Sequence, residues 1–193
     1  MWVDETGFRT HMTRTRGWCT RGKRLRFKHR KKTSPYTLVC AMGFDGIVGQ
    51  WVFPKGLTKK RWRTFSLERL LESLEPNCII LWDNLGIHYM EDVRRALKEA
   101  GHAVYFTPPY SPEGNPIEYM FSKLKTFVRK QCPNSAKTLR AAIAQGLETI
   151  TKNDIASGAV VKRGQRCRRD TEMRGRQKRH EIRHFGSTNT KSA

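Results

Sequence analysis

The chain has 193 residues, room for one domain of ordinary size, and its 37% of apolar residues is enough to build a core. Lys and Arg outnumber Asp and Glu by 38 to 17, a formal net charge of +21, which argues against an acidic small-molecule substrate and for a polyanion such as nucleic acid. No apolar run approaches the roughly 18 residues of a spanning helix, and Met1 to Glu5 lack the basic-then-apolar order of a signal peptide, so a soluble, intracellular protein without a membrane partner is expected. Five cysteines, at positions 19, 40, 78, 132 and 167, contain no C-x-x-C pair and read as reduced thiols.

Trp2 to Phe8 reads as a first strand. From Arg9 to Lys32 there are eleven Lys or Arg and no acid, with Gly17 and Gly22 interrupting any pattern, so a basic, loop-like arm placed to meet phosphates is expected over residues 9–32. From Tyr36 two β-rich runs flank Asp45-Gly46, a hairpin signal. Leu67, Leu70, Leu71 and Leu74 have helical spacing and predict a helix from Arg63 to Leu74, stopped by Pro76. Cys78 to Trp82 is a short apolar run that suits a strand buried on both faces, with Asp83 at its carboxyl end. Met90, Val93 and Leu97 mark the next helix, closed by Gly101, and His102 to Phe106 is a fifth strand. Thr107 to Asn115 is rich in turn formers; Asn115 suits an N-cap and Pro116 the first position of a helix carrying Ile117, Phe121, Leu124 and Val128. A last helix is predicted from Ala136 to Ile150, and periodicity ends near Ala156. The class is α/β, a mixed five-stranded sheet flanked by helices.

Asp4 lies in the first strand, Asp83 ends the fourth, and Glu118 opens the helix after the fifth. Right-handed crossovers bring the ends of neighbouring parallel strands to one side of such a sheet, where its sites lie. Three carboxylates converging there repel one another unless a cation intervenes, and hard oxygen donors suit Mg²⁺ or Mn²⁺. Two such ions roughly 3.5–4 Å apart activate the attacking oxygen and stabilise the leaving oxygen of a phosphodiester. Each acid also has an ordinary explanation: Asp4 as a strand acid beside Glu5, Asp83-Asn84 as a turn, and Glu118 as the third helical residue completing a reciprocal cap with Asn115. Trp51, Trp62 and Phe65 offer stacking surfaces, although core packing is the simpler role for them.

The strings Asp83-Asn84-Leu85-Gly86-Ile87-His88 and Pro108 to Glu118 resemble the second and third acidic motifs of mariner-type DDE transposases and their bacterial insertion-sequence relatives; residues 84–117, 34 in number, separate the two acids. Asp4 to Gly7, followed by Arg16-Gly17-Trp18, resembles the first motif, and the likeness runs from Trp2 to about Ile155. It implies a ribonuclease H-like fold, catalytic and metal-binding roles for Asp4, Asp83 and Glu118, two Mg²⁺ or Mn²⁺ ions, cleavage at transposon ends and transfer of the freed strand into target DNA. It also implies supporting roles for Asn84 and His88, although a structural hydrogen-bonding role explains His88 equally well, a loop shaped by Tyr110, Pro112 and Asn115 that aims Glu118, and a homodimer without a small-molecule substrate.

Two departures from the family pattern add expectations. No helix-turn-helix units stand before Trp2, so an N-terminally truncated copy with weakly sequence-specific DNA binding is expected. A basic segment at 157–193 follows a catalytic domain at 1–156; it is expected to be disordered and, with Lys28 to Lys32, to contact nucleic acid or direct the chain to a nucleus, or to the nucleoid and cytoplasm in a bacterium, the alternative for the segment being an out-of-frame extension of a decayed element. The alternative is a catalytically silent, basic nucleic-acid-binding remnant, which an Asp83→Asn variant with intact DNA affinity and a wild type without metal-dependent cleavage would identify. A third reading is another nuclease of the ribonuclease H-like class, against which the third motif counts.

Overall fold

β1 (Trp2–Arg9) is the middle strand of the sheet, and its neighbours set the geometry of everything that follows. In the computed structural model, which describes residues 1–13, 17–24, 34–108 and 115–157, five strands lie in the order β3-β2-β1-β4-β5. β2 (Pro35–Met42) and β3 (Ile47–Pro54) are antiparallel to their neighbours, and the Asp45-Gly46 hairpin joins them as expected. β4 (Ile79–Trp82) runs parallel to β1, and β5 (Ala103–Phe106) parallel to β4. A parallel neighbour demands a crossover, and the helices supply it.

Helix α1 (Lys59–Phe65) begins four residues before the predicted start at Arg63. Its first turn, Lys59-Lys60-Arg61, has no apolar phase to detect, and the start is set instead by Thr58, whose hydroxyl accepts from the Arg61 N–H at 3.3 Å. The chain then widens into a π-helical turn (Ser66–Leu70) and tightens into a 3₁₀ turn (Leu71–Ser73). This break shifts the leucine phase: Leu70 is buried, while Leu67, Leu71 and Leu74 pack partly buried around the same cluster. α2 (Glu91–Glu99) ends on Gly101 at φ +85°, the left-handed closure expected of it, with the His102 N–H returning to the Leu97 carbonyl at 2.9 Å. α3 (Ile117–Gln131) and α4 (Ala136–Glu148) follow, α4 opening on a Ser135–Thr138 capping box, and residues 152–157 are again helical.

Because side chains alternate along a strand, β1 feeds two cores. Phe8 packs with Leu38, Cys40 and Met42 beneath α3 and α4. Val3 packs with Ile80 and Trp82 beneath α1 and α2. β4 departs from the expected burial on both faces: Ile80 and Trp82 are fully buried, whereas Ile79 is 54% exposed. The α3–α4 layer covers β1 and β2 and takes no side chain of β4 or β5 into its core. Trp62 and Phe65 are core residues, and Trp51 lies half-buried with the Arg69 guanidinium 5.2 Å from its ring centre.

α3 and α4 approach closely at Gly146, where a Cβ would stand 2.5 Å from Leu124 Cδ1 and 3.0 Å from Phe127 Cδ1. Gly146→Val is therefore expected to destabilise the fold by about 2 kcal/mol, because overpacking forces both helices apart. For a domain of this size that lowers Tm by roughly 4–8 °C in a thermal melt.

Among the described residues no helix is long and apolar enough to cross a membrane. Residues 17–24 of the basic arm are exposed and lack regular structure, in keeping with the loop expectation. Arg9, the first residue assigned to the arm, belongs to β1; residues 14–16 and 25–32 of the arm, Tyr110 and Pro112 of the third motif, Cys167, and the basic segment from residue 158 lie outside the described residues. Cys19, Cys40, Cys78 and Cys132 are free thiols.

Candidate active site

The register of β1 against β4 pairs Val3 with Trp82, so the next residues, Asp4 and Asp83, stand side by side where the two parallel strands leave each other. Asp4 is buried on the sheet face that α3 covers, at 8% exposure. Its Oδ1 accepts from the Glu5 N–H at 2.7 Å, and its Oδ2 accepts from Asn115 Nδ2, also at 2.7 Å. Asn115 uses its other side-chain atom as well, Oδ1 accepting from the Ile117 N–H at 3.3 Å. One amide therefore ties the first acidic strand to the start of the helix that carries Glu118.

That geometry corrects the expected cap. The helix begins at Ile117, not Pro116, so Glu118 is its second residue. Glu118 is exposed, and its carboxylate makes no hydrogen bond or ion pair among the described residues. The reciprocal cap that offered an ordinary explanation for Glu118 is not formed. The Asn115 Oδ1 that would accept from the Glu118 N–H in such a cap accepts from the Ile117 N–H instead.

Burial holds the Asp4 carboxyl up at about 7; repulsion from Glu5, Glu118 and Asp83 adds to the rise, and the Glu5 N–H opposes it. Both other acids thus act on Asp4 through space, as a shared site requires. The three do not yet form a finished cage: among the described residues no group of three His, Cys, Asp or Glu side chains is drawn together so as to hold a metal ion.

Asp83 is held from behind. Its Oδ1 accepts from the Leu85 N–H at 3.2 Å and lies 2.5 Å from His88 Nδ1. A 3₁₀ turn (Gly86–Tyr89) folds His88 back beneath the strand end, where it is fully buried. Burial by itself would lower the imidazole's affinity for a proton, but its contacts with Asp83 and Glu5 outweigh that and raise it to about 9. The fold thus sets His88 against Asp83. Asn84 is exposed. Glu5 carries no sequence signal of a role: it sits beside Asp4 in the chain but on the opposite face, and the residue it faces, His88, lies far along the sequence.

Sheet order, mixed strand pairing and acids at adjoining strand ends define a ribonuclease H-like core. The chain belongs to the DDE superfamily endonuclease family, whose model matches residues 1–140. Its fold is similar to that of Mos1 transposase in a paired-end complex with the left transposon end, at a TM-score of 0.68 and 18% identity, over 82% of this chain and 50% of that one. It is similar also to the mariner Mos1 paired-end complex with Mn, at a TM-score of 0.67 and 15% identity over 83% and 52% of the two chains. The crystal structure of the Mos1 mariner transposase catalytic domain matches at a TM-score of 0.55 and 16% identity, over 82% and 74%. The chain spans about half the length of the two complexed transposases. No curated protein sequence matches it.

Proposed function

We propose that this chain is the catalytic core of a DNA transposase, cutting DNA strands with divalent metal ions and joining the freed ends to target DNA. The observation that carries the reading is the adjacency of Asp4 and Asp83 at parallel strand ends, with Glu118 tied to Asp4 through Asn115. The donors fit a hard cation: all are carboxylate oxygens, Asp4 is destabilised as an anion by burial and then by its acidic neighbours, and Glu118 has no competing partner among the described residues. Asp4, Asp83 and Glu118 would hold two Mg²⁺ or Mn²⁺ ions, which supply Lewis-acid activation of the attacking oxygen and stabilise the leaving oxygen. Mos1 transposase structures with Mn and with Mg accord with this choice of metal.

The chain's own residues do the rest. Asn115 fixes Asp4 relative to α3, the Leu85 N–H and His88 fix one oxygen of Asp83, and the net charge of +21 draws in the phosphate backbone. DNA ends and target DNA are the partners this implies, with a homodimer to hold two ends together, in a nucleus or a bacterial nucleoid.

The purified chain is expected to nick supercoiled DNA in Mg²⁺ or Mn²⁺ and to stop when EDTA is added. Absence of nicking with either metal, at a salt concentration where DNA is bound, would overturn the catalytic reading and leave a DNA-binding protein.

A further inference from the structure

Glu5 follows Asp4 in β1, so the alternation of the strand turns it away from Asp4 and into the face packed by α1. It is a carboxylate in costly surroundings, its side chain only 19% exposed and its Oε2 buried without a hydrogen-bond partner. Opposite that oxygen, 3.6 Å away, is His88 Nε2, which is also buried and also lacks a hydrogen-bond partner. Among the described residues these two atoms have only each other.

The imidazole has little freedom to turn elsewhere. The Trp62 ring centre lies 4.2 Å from it, and Trp82 stacks at 6.0 Å with 26° between the planes. Held by these two indoles, the ring aims one nitrogen at each carboxylate: Nε2 at Glu5 and Nδ1 at Asp83 Oδ1, 2.5 Å away. Asp83 Oδ1 receives the Leu85 N–H as well, so this oxygen is fully engaged, and Oδ2 has no partner among the described residues.

We infer that Glu5 is a positioning residue of the active site: through His88 it anchors one oxygen of Asp83, leaving the other as the metal-ligating atom. The inference rests on the metal-site reading above. Hydrogen-bonded partners of a ligating carboxylate orient it, and losing such a partner typically costs 10–100-fold in metal affinity; His88 is that partner of Asp83, and Glu5 is what holds His88. With a carboxylate at each nitrogen, the ring donates toward both only as the doubly protonated imidazolium, the form that two flanking carboxylates favour. Glu5 also reaches Asp4 directly, its backbone N–H donating to Asp4 Oδ1, so one residue of β1 bears on both strand-end acids.

Mn²⁺ binding to the purified chain, followed by the loss of the free-ion paramagnetic resonance signal, tests this without any turnover. Glu5→Gln, which keeps the shape, is expected to weaken Mn²⁺ by about 10–100-fold with the circular dichroism spectrum unchanged. In the metal-free protein the His88 Nε2 nitrogen resonance should move in the same variant, a signature that a merely space-filling Glu5 would not produce. His88→Gln should weaken Mn²⁺ similarly, and the double variant should be no worse than His88→Gln alone, because links in series do not add. Should Glu5→Gln fail to fold, Glu5→Asp, with the charge kept and the reach shortened, is expected to show the same loss in part. Wild-type Mn²⁺ affinity in the Glu5 variants, with Asp83→Asn unable to bind, would overturn the inference and leave the metal site standing. No Mn²⁺ binding by the wild type would overturn the metal site and this inference together.

Discussion

Asp83→Asn is expected to lower metal-dependent DNA nicking by roughly 10³-fold or more while leaving the fold and the affinity for DNA intact. The size follows from what the residue supplies: metal stabilisation of developing charge contributes several kcal/mol to the transition state, and each 1.36 kcal/mol is about tenfold in rate. The specificity follows from its contacts. Oδ1 of Asp83 already accepts from Leu85 and faces His88, and the side-chain oxygen of asparagine can keep both bonds. The other oxygen becomes an NH₂ group, a donor without the charge or lone pairs to ligate a cation. DNA affinity is set by Lys and Arg against phosphate and gains slightly, if at all, from the loss of one negative charge. Plasmid nicking in Mg²⁺ and Mn²⁺, beside fluorescence anisotropy with a labelled duplex, separates the two. A variant that retains more than a tenth of wild-type nicking would remove Asp83 from the chemistry. Joint loss of binding and nicking would mean that the substitution acts on the fold.

The parts of this site that sequence patterns reveal are those carried by local periodicity. β4 is apolar and ends in an acid, Asn115-Pro116 announces a helix, and Asp45-Gly46 announces a hairpin; each survives in the structure to within a residue or two. Harder to read are the features made by contacts across long separations. Asn115 reads locally as a cap, yet its amide nitrogen is committed to Asp4, 111 residues away, and only the packing of α3 on β1 reveals it. Glu5 reads as a neighbour of Asp4, but a two-residue period places the two on opposite faces of a central strand. Its significance depends on a histidine that a single 3₁₀ turn folds under β4. The early start of α1 and its π-helical turn leave no mark in the sequence for a related reason: the first turn is wholly polar, and the leucines follow a 3.6-residue period that the helix does not keep. The one-sided burial of β4 is hidden too, because an apolar strand does not reveal how far the helices on each face extend.

Metal-free protein is expected to lose stability as pH rises from about 4 to about 7, with Asp4 as the cause. Its carboxyl titrates at 3.8 in the ordinary state and is raised to about 7 in the fold, first by burial and then by Glu5, Glu118 and Asp83. The folded state therefore keeps a proton that the unfolded chain gives up, and stability falls with pH wherever the native state binds more protons. The contribution is complete below the unfolded value, declines through the interval and is gone above about 7; at 1.36 kcal/mol per pH unit its full extent is about 4 kcal/mol. Two other groups act at or beyond the edges of this window. Asp154, lowered to about 2 chiefly by Lys123, loses its contribution only as pH falls below the ordinary carboxylate value, and His88, raised to about 9, loses its own between about 6.5 and 9. Urea unfolding at pH 4, 5, 6 and 7 in EDTA should show a declining midpoint in the wild type and a flatter one in Asp4→Asn, which has no proton to lose. The same proton must leave when a cation takes its place. Mn²⁺ binding at pH 6 should thus release up to one proton, measurable by calorimetry in buffers of different ionisation enthalpy, and Mn²⁺ should restore the stability that rising pH removes. Parallel pH profiles for wild type and Asp4→Asn, with no proton release on Mn²⁺ binding, would show that Asp4 is ionised throughout and that its neighbours do not crowd it as the fold indicates.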